Sequence, residues 1–255
     1  MRGLLIIFCA VTAILAADPP DPGLLDRARA GAVNYSRSLP DFVCTQVVHR
    51  YVSTPTRWRL LDTLVLKLDF ASGHESYTLV SVDGKPASED YLALGGATST
   101  GEFGTLLRRV LRPESRAVFT WERRARHRGK NVEIYRYAIA LSGASHELAY
   151  RAGDAEPVVI RVADHGEIYI DESSANILRI DSEVDDIPKR FPIRYSHTTL
   201  EYGEAAIGGR PYLLPARAQV ELRTSRGHTR NEVEFIQYRK FGADATVSFG
   251  EAKDK

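Results

Sequence analysis

"GEFGTLLRRVLRP", residues 101–113, spaces Phe103, Leu106, Leu107, Val110 and Leu111 at i, i+3, i+4, i+7 and i+8, which is one face of an α-helix. Ser99 and Glu102 stand three residues apart, as the partners of a capping box do, and Pro113 cannot continue a helix. The spacing therefore predicts a helix over 101–112. Its polar side carries Arg108, Arg109 and Arg112, the last two near the end where cations complement the helix dipole. Nearly everything around this stretch alternates with the two-residue period of β-strands. The fold turns on what a lone amphipathic helix covers.

Upstream, "WRLLDTLVLKLDF" (58–70) sets Trp58, Leu60, Leu64, Leu66, Leu68 and Phe70 on one face, and Arg59, Thr63, Lys67 and Asp69 on the other with Leu61 and Val65. "HESYTLVSVDGKP" (74–86) ends in the turn signal Asp83-Gly84. Downstream, "NVEIYRYAIALSG" (131–143) and "HELAYRAGD" (146–154) read as two strands around a Ser-Gly turn, and "GEIYIDESSANILRIDSEVDDIP" (166–188) as a hairpin joined through 171–176. The run from 193 to 241 alternates and breaks at Gly208-Gly209 and at 225–227. About ten strands with short connections predict an antiparallel meander.

A second helix is predicted near the N-terminus. Leu25, Ala28, Ala32, Tyr35 and Leu39 recur at steps of three and four, giving a helix over Leu24–Ser38 closed by Pro40. Its apolar face is thin, so it is expected to lie on another surface. A long antiparallel sheet buries its apolar face by closing, by doubling, or by taking helices onto its concave side. Two amphipathic helices favour the last. The expectation is a mainly β fold, one large meander sheet curved into a half-open barrel with the helices on the concave side, in a single domain over 18–255.

The first residues, "MRGLLIIFCAVTAILAADPPDP", place Arg2 before an uncharged apolar run from Gly3 to Leu15 and small residues at Ala16 and Ala17. This is the pattern of a secretory signal peptide over 1–17, and it is too short to span a bilayer. Its removal takes away Arg2, so 34 basic residues become 33 against 33 acidic ones. A neutral chain is no general polyanion binder. Cys44 would then be the sole cysteine, which excludes an internal disulfide; in the strand-like "DFVCTQVVHRY" (41–51) it reads as a small buried thiol.

In its order of elements the chain resembles secreted bacterial proteins of the outer-membrane lipoprotein-sorting type, the lipoprotein carrier and its relatives. That order is signal peptide, N-terminal helix, strands, a helical lid insertion, the hairpin "GEIYIDESSANILRI" and a terminal meander ending "VEFIQYRKF". "YSRSLPDFVCTQVVHRY" (35–51) and "IGGRPYLLPARAQVEL" (207–222) are similar to segments of uncharacterised secreted proteins with this layout. The resemblance implies a half-open barrel whose concave face holds an acyl or lipid group beneath helices.

Motifs for chemistry are few. The seven histidines stand at no metal-ligand spacing, and the acidic group Asp181, Glu183, Asp185 and Asp186 lacks the glycine and ligand order of a calcium loop. Glycines 96 and 101 have the spacing of a phosphate loop, but Glu102 and Phe103 replace the required Lys and Ser/Thr. No GxSxG elbow occurs. A non-catalytic protein without metal or cofactor is therefore expected, periplasmic or secreted, binding a lipid-like group. The expected ligand site joins Trp58, Leu60, Leu64, Leu66, Leu68 and Phe70 to the lid residues Phe103, Leu106, Leu107 and Val110. From Arg108 to Lys130 nine basic residues face two acidic ones, a local net of +7. The alternative expectation is a sensor or interaction module with a filled core, meeting an envelope protein or a membrane surface through Arg123, Arg124, Arg126 and Arg128. Nucleic acid is not an expected partner in that compartment.

Overall fold

The computed structural model describes residues 20–89, 91, 94, 103–151, 153 and 155–242. The signal-peptide reading, the capping pair Ser99 and Glu102, and the glycines of the phosphate-loop comparison lie outside them. Helix α1 spans Leu24–Ser38 and helix α2 spans Thr105–Leu111. Strands β1 to β12 are Phe42–Ser53, Trp58–Ala71, His74–Val82, Lys85–Pro86, Val118–His127, Lys130–Ile139, His146–Tyr150, Val158–Asp171, Ile177–Asp185, Ile193–Ile207, Arg210–Thr224 and His228–Lys240. The twelve strands among the described residues exceed the ten or so read from alternation. The two-residue β4 is too short to show a period.

All pairings are antiparallel, in the order β4-β3-β2-β1-β12-β11-β10-β9-β8-β6-β5, with β7 pairing β8 beside that path. The sheet is curved and not closed. Most neighbours are sequential, as the turn signals require: Asp83 and Gly84 both take positive φ, as do Gly208 and Gly209, the conformation of tight hairpin turns. Two junctions depart from a simple meander. β1 pairs β12, bringing the two ends of the domain together. β7 leaves its sequence neighbour β6 and extends β8 instead, so the Ser-Gly turn joins strands that do not form a hairpin.

The main apolar cluster lies on the concave side and unites both helices with the sheet. Leu24, Ala28 and Ala32 of α1 and Leu106, Leu107, Val110 and Leu111 of α2 share it with Phe42, Leu64, Leu66, Leu68, Phe70, Ile168, Ile180, Leu200 and Phe235. Phe103, just before α2, sits in an aromatic nest, with ring centroids 5.1 Å from Phe42, 5.5 Å from Phe235 and 6.1 Å from Phe70. Each of the five apolar side chains at 103–111 contributes about 1.5–3 kcal/mol by burial. Gly104 at the N-terminal boundary has φ 121°, a conformation that glycine alone adopts freely. Arg112, extended ahead of Pro113, ends the helix.

One bulge reshapes the expected sheet face. Arg50 stands opposite Asp62, but its neighbour Tyr51 stands opposite Leu60, leaving Leu61 as an extra residue in β2. An extra residue reverses the alternation. Leu64, Leu66, Leu68 and Phe70 are fully buried on the concave side, whereas Leu60 is 47% exposed. Trp58 turns outward with it and packs under the Arg230 guanidinium, 4.6 Å from the ring centroid. Trp58 and Leu60 therefore do not share the face of the other four.

Candidate functional site

Eight of the ten expected ligand-site residues meet on the concave side, since Leu64, Leu66, Leu68, Phe70, Phe103, Leu106, Leu107 and Val110 all belong to the main cluster and all are buried. They pack as a filled core. Open space lies beside them, along α1. A groove of about 460 Å³ runs between that helix, Leu107 of α2, the β8–β9 turn at Ala175 and Asn176, and Pro211, Tyr212 and Leu213 of β11. Ala28, Ala32, Leu39, Leu107, Ile177 and Leu213 make its wall apolar, while Asn34, Ser38 and Asn176 set polar groups around it. Gly31 also lines the groove, and a Cβ added there would meet nothing within 4 Å.

The groove flanks the first residues of β11. The β11–β12 ladder stops at Arg217 opposite Glu234. Beyond it, side-chain hydroxyls take the carbonyls of β11: Tyr35 of α1 donates to Leu213 O at 2.9 Å and Tyr238 of β12 to Pro215 O at 2.6 Å. Burial pushes the Tyr35 hydroxyl well above its usual pKa, so it remains a donor. Tyr35 and Leu39 were legible as the thin face of α1. The β11 and turn residues carried no signal, because only the sheet's long-range order brings them to this helix.

A buried polar cluster anchors α2. Arg109 Nη2 donates to Ser182 Oγ at 2.8 Å and lies 3.2 Å from Asp164 Oδ2; Ser182 Oγ donates to the same oxygen at 3.1 Å. His146 Nδ1 approaches Asp164 Oδ2 at 3.8 Å, an electrostatic contact rather than a hydrogen bond. Burial alone would raise the Asp164 carboxyl, but His146, the Arg109 charge and Ser182 outweigh it and hold it below the usual range. Burial lowers His146. Such a set can fix a helix on a sheet, and Ser182 and Asp164 are both buried within it.

The arginines of the alternative site do not form one face. Arg123 stands opposite Ile134 and Arg124 opposite Glu133, so neighbours along β5 point to opposite sides. Arg123 pairs with Glu167 at 3.1 Å, Arg124 with Glu133 at 2.6 Å and Arg128 with Glu201 at 3.4 Å, while Arg126 donates to Gly129 O at 3.0 Å. Three of the four are thus drawn into pairs with carboxylates of other strands. Cys44 is 2% exposed on β1, as a buried thiol should be. Among the described residues no group of three His, Cys, Asp or Glu side chains is placed to hold a metal ion.

No family model matches the chain, and no curated protein matches it. Solved structures similar to it include a domain of Vibrio parahaemolyticus assigned to the outer membrane lipoprotein-sorting proteins, 10% identical over 84% of this chain and 91% of that one, with a TM-score of 0.42. A DUF1329 family protein from Desulfovibrio piger is 9% identical over 88% of this chain and 95% of its own, with a TM-score of 0.38. A LolA superfamily protein from Nitrosomonas europaea is 11% identical over 86% of this chain and 93% of its own, with a TM-score of 0.35. Two of these three, by their descriptions, are of the type that the order of the sequence elements resembles.

Proposed function

We propose that this is a non-catalytic binding protein of the bacterial envelope, which holds a lipid-like or acyl group between its helices and the concave sheet. The groove beside α1 carries this reading. Its volume of about 460 Å³ falls within the roughly 300–1,000 Å³ of small-molecule sites, and its apolar wall with a few polar groups is their usual lining. Leu107 and Ala32 belong both to this wall and to the main core. A chain entering the groove therefore meets the concave side as soon as the α2 side chains withdraw. The signal-peptide pattern at 1–17 supports a periplasmic or secreted location, and the reading calls for no metal or cofactor.

Gly31→Trp tests it. The Cβ added there meets nothing within 4 Å, and the substitution replaces a helix-interior glycine at the groove wall, so the fold should be retained. Loss of binding to a fluorescent apolar probe, with an unchanged circular dichroism spectrum, is the expected result. Undiminished binding by this variant would place the ligand elsewhere and sink the reading.

A further inference from the structure

Gln46, in the first half of β1, is fully buried, and neither its Nε2 nor its Oε1 meets a hydrogen-bond partner among the described residues. By strand alternation it shares the concave side with Cys44 and Val48, and it stands opposite Leu66 of β2 and Phe235 of β12. Those four neighbours belong to the same apolar cluster as the α2 side chains. Phe103, just before α2, packs against Phe235 directly. A carboxamide stripped of water and unpaired destabilises a folded chain, whereas an aliphatic side chain in its place would not.

We propose that Gln46 recognises the polar end of the bound acyl group and selects chains that end in a carboxamide or an un-ionised carboxyl. Such a group donates and accepts side by side. Its N–H or O–H donates to Oε1 while its carbonyl accepts from Nε2, satisfying both atoms at once. An ester accepts without donating and leaves Oε1 unpaired; a bare hydrocarbon leaves both. A carboxylate finds no cation among Cys44, Val48, Leu66 and Phe235. The inference rests on the binding function proposed above and extends it from the groove beside α1 to the part of the concave face that holds Gln46.

The test is competitive displacement of a neutral fluorescent probe, N-phenyl-1-naphthylamine, from the purified full chain by palmitamide and by methyl palmitate. Palmitamide should bind about tenfold more tightly, the ratio that one recovered hydrogen bond produces. Gln46→Leu should abolish the preference, weakening palmitamide more than methyl palmitate, and keep or raise the melting temperature of the unliganded protein. Gln46→Met, unbranched and of similar length, is the second variant if leucine disturbs β1. Equal affinities in the unaltered protein, a preference that survives the substitution, or a melting temperature that falls in both variants would each overturn the inference alone. Failure of both ligands to displace the probe would overturn the binding function and this inference with it.

Discussion

Arg109 of α2 and Asp164 of β8 form an ion pair at 3.2 Å whose carboxylate is wholly buried. The pair ties a two-turn helix to the sheet it covers, and Ser182 bridges its two members. A helix of seven residues has little stability of its own. Its place is set by its apolar face and by this one arginine.

Removing Asp164, which meets Arg109, Ser182 and His146, should therefore be costly. Asp164→Ala leaves Arg109 buried without its anion, a change worth about 3–5 kcal/mol. Urea unfolding should show that loss, and the double variant Arg109→Met with Asp164→Leu should recover much of it. A loss under about 1 kcal/mol, the size expected of an exposed pair, would mean that the cluster is open to water.

Acid should destabilise the fold in two windows. His146 is held below the ordinary value of 6.5 by burial, so the unfolded chain takes up its proton first. The stability it contributes is full above pH 6.5 and is lost as pH falls below that value, at up to about 1.4 kcal/mol per pH unit. Asp164 is held below 3.8, so its contribution persists to about that pH and disappears beneath it. Denaturation midpoints between pH 7.5 and 5 should drop, and His146→Gln should flatten that part of the curve. An unchanged slope in the variant would assign the loss to other groups.

The bulge at Leu61 makes a contrast within one strand. Leu64→Ala empties a fully buried site and should cost about 2–5 kcal/mol, while Leu60→Ser, on the outer side, should stay within about 0.5 kcal/mol of the unaltered protein. Thermal or urea unfolding of the two variants checks it. Comparable losses would put Leu60 back among the core residues.

Local order was legible in the sequence wherever one period ran unbroken. The 3.6-residue spacing located α1 over Leu24–Ser38 and the buried face of α2, because a helix closes its hydrogen bonds within itself. Paired Asp-Gly and Gly-Gly residues located turns, since positive φ is a local demand. The mainly β class and the concave placement of the helices followed from those patterns. The tertiary structure alone decided the rest. Whether Trp58 and Leu60 face inward depends on a bulge set by pairing with β1, and β7's partner depends on where β6 leaves β8. The groove lies between α1 and a strand some 180 residues later, held by Tyr35 on Leu213 (separation 178), and Arg109 meets Asp164 only after β8 and β9 are laid side by side. A period in sequence encodes which face is apolar; pairing energies between distant segments decide what that face meets.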